Sequence, residues 1–459
     1  MSNFFSKIFG DKTPPPITPP LPSLTVLQET SPIKEDSVTV AEKIHFNIAA
    51  MTQGLVAREQ QASMLLLAAL AGENSLLFGP PGTGKSLLAR RLKNCFKDTS
   101  NAEGAYFECL LTKFSMPEEV FGPISLKSLE DDRYERVYSR HLPAAQIGFI
   151  DETFKANSAI LNSMLTILNE REFDTGSKRV KTNLMSVVGA SNELPIESEL
   201  MALYDRFIVR MAVGRLNDAE LMRMFEKQQT WDNRPPQGAQ RYLLTSEDTA
   251  KIKGGASTVR VPTEIDELLV ELRNACAGQN PQIDISERRL WKMRDLLKVA
   301  AFTSERDEVA LIDTWMLRHC AWHADHQARW VAEWLDSRMD SQPFDFKDLK
   351  DQLQMEEQAL KKHQEKSERG EHFTESEIDN FKSTIQEIAQ EAKDSLAEIE
   401  QRMGDMANSI RNSPWVPTEY GQVVNKGLQT NQKSLQGIIK KVEDLLDQYR
   451  KMPRIEDKE

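Results

Sequence analysis

Cysteine is scarce. The 459 residues carry four, Cys95, Cys109, Cys276 and Cys320, scattered and without a C-x-x-C pair. That usage excludes a disulfide framework and a paired-thiolate metal site, and it is what reduced thiols in a cytoplasmic protein look like. Long apolar runs are missing too. Met64 to Ala71 is among the longest, far short of the roughly 20 residues a membrane span needs, so no transmembrane segment is expected. No apolar stretch near the N-terminus has the layout of a secretory signal, and no leader is expected. Positive charge is in deficit: 58 Lys and Arg stand against 70 Asp and Glu, a net charge of −12. Such a balance repels a nucleic acid backbone at long range, so no nucleic acid partner is expected.

What the chain does have is one stretch around which the rest is organised, Asn74 to Ala89. Ser75 to Phe78 is short and apolar, as a strand buried on both faces is. GPPGTGKS follows over Gly79 to Ser86, and then a helix-forming run, Leu87 to Leu92. This is G-x-x-x-x-G-K-[ST] in a strand–loop–helix context, the layout of a triphosphate cradle. Backbone N–H groups must wrap the phosphates, so Gly79, Gly82 and Gly84 leave room and permit positive φ. Gly79, Pro80, Pro81, Gly82, Thr83, Gly84, Lys85, Ser86 and Leu87 are the expected nucleotide-contacting residues. Lys85, read as solvent-facing, is expected to reach the terminal phosphates, and the Ser86 hydroxyl to ligate Mg²⁺. The helix N-terminus adds a positive end.

Four further apolar runs read as strands: Gly104–Leu111, Leu142–Glu152, Leu184–Ala190 and Phe207–Val213. Helical patterns such as Ala159–Leu168 separate them, so a parallel sheet covered on both faces is expected. Phe149-Ile150-Asp151-Glu152 ends one strand on two carboxylates. Beside a phosphate loop, Asp151 is the candidate Mg²⁺ organiser and Glu152 the candidate base for the attacking water. Asn192 ends the next strand at the same edge, within expected reach of water or γ-phosphate.

The flanking regions differ in composition. Residues 1–36 read as a tail, with six prolines between Lys12 and Ser23 and an apolar cluster from Phe4 to Phe9. Residues 37–215 read as the nucleotide-binding core and 216–338 as an all-α lid, in which Asp232–Pro262 is expected to be an exposed loop. Residues 339–452 read as a helical bundle and 453–459 as a short tail. In the bundle, apolar residues recur from Ile378 to Ile410 through Phe381, Ile385, Ile388, Ala392, Leu396, Ile399, Met403 and Met406, a coiled-coil seam. Pro414 and Pro417 break it. A second seam runs through Leu428, Leu435, Ile439, Val442, Leu446 and Tyr449, and a third through Phe346, Leu349, Leu353 and Leu360. An antiparallel bundle of three helices satisfies all three. His319, His323 and His326 fall at i, i+4 and i+7, which on an α-helix is one face, but the tryptophans around them favour packing over a metal site.

In order, GPPGTGKS, FIDE, GASNE and Leu203 to Arg210 (LYDRFIVR) resemble an AAA+ ATPase. Glu119–Pro123, Leu168–Phe173 and Gly189–Leu194 resemble the MoxR family in particular. Ser286 to Trp291 and Leu317 to Trp322 are similar to its RavA-like branch. The resemblance covers residues 40 to 335. It implies an αβα core with a five-stranded parallel sheet, an all-α lid, and cofactors ATP and Mg²⁺. It implies a homo-oligomeric ring, expected as a hexamer, that acts on protein substrates with a von Willebrand factor A domain protein. By the same resemblance Arg206, with Arg210 as alternative, is the arginine that enters a neighbour's site. Arg288, with Arg289 as alternative, contacts the γ-phosphate of its own subunit. Glu172–Lys181 is the hairpin before Asn192's strand, and Phe121–His141 an insertion. The β-rich module of RavA is expected to be absent, as no strand-like run occurs between Asp340 and Lys451. A second function class is a nucleotide-switched scaffold in which slow hydrolysis toggles an assembly platform.

Overall fold

Short, mostly apolar runs of five or six residues become five parallel strands. The computed structural model describes residues 38–97, 106–195, 197–226, 239–340, 346–369, 373–451 and 454–455; the proline-rich tail with Phe4–Phe9 lies outside them. In chain order the strands are β1 (Asn74–Phe78), β2 (Tyr106–Leu110), β3 (Ile147–Asp151), β4 (Glu172–Asp174), β5 (Arg179–Lys181), β6 (Ser186–Ser191) and β7 (Phe207–Ala212). The main sheet runs β2-β3-β6-β1-β7, every pair parallel, while β4 and β5 form the expected antiparallel hairpin.

Helices α1 (Val40–Thr52), α2 (Glu59–Leu70), α3 (Lys85–Lys93), α4 (Ser158–Glu170) and α5 (Ser198–Tyr204) cover the sheet. Nine of the twelve residues of α2 are buried, which is why its sequence is apolar all round instead of striped. On the opposite face, Ile160, Leu161, Met164, Ile167 and Leu168 of α4 join Leu76, Ile150, Val187 and Phe207 in one core. The fold is therefore α/β, an AAA+ type core with its five-stranded parallel sheet.

The starts of three strands are tied by polar side chains. Asn74 donates to Arg206 O at 3.2 Å and accepts from Val187 N at 3.0 Å. Arg171, held at φ 56°, donates to Gly72 O at 2.7 Å and Met185 O at 3.1 Å.

The lid is all-α: α6 (Asp218–Glu226), α7 (Ser246–Thr258), α8 (Thr263–Ala277), α9 (Glu287–Thr303) and α10 (Asp325–Asp340). Helix α7 corrects the loop expected over Asp232–Pro262, of which 232–238 lies outside the described residues. A capping box between Thr245 and Asp248 starts it, and the breaker-like Gly255 is a packing residue, since a Cβ there would sit 2.1 Å from the Phe302 ring. The three histidines do not share a helical face. Leu311–His319 is 3₁₀, with three residues per turn, and α10 begins only at Asp325. His319 is half-buried, and desolvation together with the charge of Arg318 pushes its pKa down to about 3. Among the described residues no group of three or more His, Cys, Asp or Glu is placed to hold a metal, and no helix is long and apolar enough to cross a membrane.

Two compact units emerge. One takes the chain up to Ala332 together with Arg411–Thr418; the other is Glu333–Ile410 with Glu419–Glu459. Core and lid, read from sequence as separate domains at 37–215 and 216–338, thus pack as one unit. The boundary falls inside α10, six residues before the expected 338/339, and the proline turn 411–418 belongs to the first unit. The second unit contains α11 (Lys347–Glu368), α12 (Glu375–Asn412, but for its last two residues) and α13 (Tyr420–Arg450). All three seams meet in one core of Phe346, Leu349, Leu353, Ile385, Ala392, Ile399, Leu435 and Val442. In α13 the seam steps to Ile438 and Leu445, with Ile439 and Leu446 partly buried beside them. The unit is not wholly free of strand: Phe373–Thr374 (β8) pairs in parallel with Arg454–Ile455 (β9), a two-residue ladder.

Within the first unit Trp415 is 1% exposed and its indole N–H donates to Thr303 Oγ1 at 2.9 Å. Trp415→Ala should lower the stability of that unit by about 3–5 kcal/mol, and Thr303→Val by about 1 kcal/mol. Thermal unfolding of the full chain followed by calorimetry checks this; a Trp415→Ala transition within about a degree of wild type would show the turn to be dispensable.

Candidate active site

The loop after β1 must turn sharply and still offer its N–H groups outward. Gly79, Gly82 and Gly84 take φ of 150°, 77° and 92°, and a Cβ on Gly79 would stand 2.4 Å from Val213 O. Gly84 is the left-handed cap from which α3 starts at Lys85. Thr83 Oγ1 donates back to Pro80 O at 3.0 Å. Arg58, not singled out in the sequence, braces the loop by donating to Thr83 O at 3.2 Å and Gly214 O at 2.8 Å. Nothing in the residues near Arg58 marks it, because its partners lie 25 and 156 positions away.

Lys85 is buried instead of solvent-facing. Its ammonium donates to Gly79 O at 2.7 Å, Pro80 O at 2.9 Å and Asn192 Oδ1 at 3.2 Å. Burial lowers its pKa, opposed by the charges of Asp151 and Glu152.

Strands β3 and β6 end beside this lysine. Thr153 Oγ1 ties them, donating to Ile150 O at 2.8 Å and lying 3.3 Å from Ala190 O. Asp151 Oδ1 accepts from Glu152 N at 3.0 Å, and Glu152 is held at φ 51°, a left-handed conformation that costs a non-glycine residue free energy. Asn192 Nδ2 donates to Glu152 Oε1 at 2.7 Å. One chain of contacts therefore links Lys85, Asn192 and Glu152. Pro81, Gly82, Gly84, Lys85, Ser86, Leu87, Asp151, Glu152 and Asn192 line a cleft of about 410 Å³, together with Arg90. Ser86 and Asp151 present only oxygen donors to it, a set that suits a hard cation such as Mg²⁺. A second, more apolar cleft of about 430 Å³ adjoins the loop, walled by Leu55, Val56, Leu216, Leu221 and Met224.

Arg206 and Arg288 are elsewhere. Arg206 precedes β7, whose Phe207 pairs with Asn74 at the start of β1, while the phosphate loop leaves the other end of β1. At roughly 3.3 Å per residue, a five-residue strand separates the two ends by about 13 Å. Arg288 is at the same far end, donating to Asp205 Oδ2 at 2.6 Å and Asn169 Oδ1 at 2.7 Å. The expectation that Arg288 meets the phosphates of its own subunit is corrected: the lid holds it at the strand starts, not the strand ends. Arg206 lies 3.4 Å from the same Asp205 carboxylate. Burial and the like charge of Arg288 lower its pKa, and its Nε has no partner among the described residues.

The two alternatives are structural. Arg210 is fully buried, donates to Phe207 O, Tyr204 O and Trp322 O, and stacks 3.7 Å from the Tyr204 ring; burial pushes its pKa down to about 9. Arg289 is 1% exposed and donates to Cys320 O and Ile208 O at 2.8 Å and Phe207 O at 3.1 Å.

Known proteins share these features. Residues 42–253 match the family model described as the MoxR domain of MoxR–vWA–beta-propeller ternary systems, and residues 264–335 match an AAA lid domain. Two uncharacterized proteins of Methanocaldococcus jannaschii are 37% and 35% identical over 267 and 268 residues. Each alignment takes in 58% of this chain, which spans about two thirds of the length of each relative, 66% and 68%. A crystal structure from Cytophaga hutchinsonii, described as a candidate ATPase, superposes with a TM-score of 0.51 at 17% identity, over 64% of this chain and 94% of that one. With the sheet order, the phosphate loop and the lid already in place, these matches show that the chain belongs to the MoxR family of AAA+ ATPases.

Proposed function

We propose that this chain is a Mg²⁺-dependent ATPase that works as a ring, hexameric by analogy with its family, to remodel partner proteins. One observation carries the ring. The groups able to bind and cleave a triphosphate gather at one end of the sheet, and two arginines at the other. Asp205 is shared by Arg206, Arg288 and Arg289. One carboxylate against three guanidiniums leaves surplus positive charge, complementary to a phosphate supplied from outside. A second copy of the chain supplies it.

In this reading Lys85 and the loop from Gly79 to Leu87 hold the phosphates, Ser86 and Asp151 hold Mg²⁺, and the apolar cleft at Leu55 and Met224 takes the base. Mg²⁺ would neutralise the phosphate oxygens. Glu152 accepts the proton of the attacking water and Asn192 orients that water. Swinging away from Asn192 frees Glu152 for this role. Arg206 and Arg288 reach into the neighbouring subunit's site, where charge develops on the transferred phosphoryl group. The description of the matching family model supports a von Willebrand factor A domain protein as partner, and the Ser286–Trp291 motif supports a RavA-like member. The second unit, which holds none of these residues, is the natural place for partner binding.

Lys85→Ala should abolish ATP binding with the fold intact, and Glu152→Gln should bind ATP while losing hydrolysis by a factor of about 10² or more. Equilibrium binding and phosphate release measure the two. Wild-type affinity in Lys85→Ala would refute the phosphate-loop assignment, and full cellular function in Glu152→Gln would favour the scaffold.

Arg206→Ala and Arg288→Ala should each bind ATP normally and hydrolyse it poorly, by a factor of about 10³ for Arg206. Mixing either with Glu152→Gln subunits creates interfaces at which intact arginines face an intact Glu152, so activity should return above the sum of the separate rates. If Arg288→Ala instead loses ATP affinity as Lys85→Ala does, it acts within its own subunit.

A further inference from the structure

One cation in the phosphate cleft has no part in the hydrolysis described above. Arg90 lines that cleft beside Lys85, Ser86 and Asp151. It lies four residues beyond Ser86 on α3, so the two side chains share a helical face. Its guanidinium is gripped by Glu108 of β2, with Nε donating to Oε2 at 2.9 Å and Nη2 to Oε1 at 2.6 Å. The Tyr106 hydroxyl donates to the same Oε2 at 3.1 Å. Backbone register fixes the grip: Glu108 pairs with Phe149 of β3, and Leu110, two residues on, pairs with Asp151.

An ion pair this exposed, with side chains 46% and 31% accessible, contributes little to folding. Its effect is on geometry. A guanidinium has five N–H donors in a planar fork. Glu108 occupies the edge made by Nε and Nη2, and Nη1 donates to no described residue. The arginine is thereby held in one orientation with a charged edge left over at a site built for anions. Hydrogen bonding to Glu108 raises the Arg90 pKa further, so the cation is permanent.

We propose that Arg90 is a phosphate-binding residue of its own subunit, whose Nη1 edge contacts a bound nucleoside triphosphate while Glu108, steadied by Tyr106, positions it. The proposal rests on reading the cleft as a nucleotide site. It differs from the roles of Arg206 and Arg288, which come from a neighbour, because Arg90 needs no second subunit.

The test is calorimetric titration of the full chain with Mg-ATP, together with melting temperatures. The variants are Lys85→Ala, Arg90→Ala, Arg90→Lys, Glu108→Gln and the Arg90→Ala/Glu108→Gln double. Arg90→Ala should raise the dissociation constant about tenfold, the scale of one charge-assisted hydrogen bond. Arg90→Lys should recover part of this, keeping the charge without the fork. Glu108→Gln should weaken binding by a smaller factor. The double variant should match Arg90→Ala alone, since Glu108 acts only through Arg90. Melting temperatures should stay near wild type throughout.

An Arg90→Ala constant within twofold of wild type, in an assay where Lys85→Ala abolishes binding, overturns the proposal and leaves the nucleotide site standing. Full additivity in the double variant overturns the positioning role of Glu108. If wild type itself takes up no Mg-ATP, the nucleotide reading fails and this proposal falls with it.

Discussion

The polarity of the parallel sheet is the constraint on which the first unit depends. Parallel strands all end on one side, so the loops that follow them converge there and the segments that precede them converge on the other. β1, β3 and β6 deliver the phosphate loop, Asp151 with Glu152, and Asn192 to a single cleft. The same alignment places Arg206, which precedes β7, at the opposite end. The cleft residues and Arg206 are thus separated by the length of a strand, and no rotamer change bridges it.

That lower end is held together by charge buried in carbonyls. Arg171, Arg210 and Arg289 direct their guanidiniums mainly at backbone oxygens of strand starts and lid turns. A planar fork with five donors can satisfy several carbonyls that have no ladder partner, which makes burying the charge tolerable. The contrast with their neighbours is physical. Arg206 and Arg288 keep part of their surface exposed and share one carboxylate, so each retains capacity for a further anion.

In the second unit stability comes from repeated seams instead. The hydrophobic residues of α11, α12 and α13 close on each other within one chain, and the residues between them remain polar. Tyr449 stacks on Phe381 at 4.8 Å, with His363 edge-on to Phe381 at 4.9 Å. Such a core needs only heptad spacing and two reversals, and none of the cleft residues lies in it.

What was legible in the sequence follows from local chemistry. A backbone cradle requires glycines at set offsets, a metal-organising carboxylate belongs at a strand end, and a helical seam repeats every three or four residues. These rules act over a few positions, so the glycine loop, the two strand ends that meet beside it and the seams were legible as features of the chain. Tertiary structure alone decided the rest. Arg288 and Arg289 are adjacent in a helix-forming run, yet one meets Asp205 and Asn169 at the surface and the other is sealed among carbonyls. Arg210, the alternative to Arg206 in sequence, is sealed in by Tyr204 and Trp322. Helix α7 survives two glycines because Phe302, from another helix, fills the space beside one of them. Arg58, Arg90 and Trp415 owe their places to partners far along the chain or to a neighbouring strand. A side chain's chemistry is written in its residue type, but which anion, carbonyl or ring it meets depends on how distant segments pack, and no local pattern carries that.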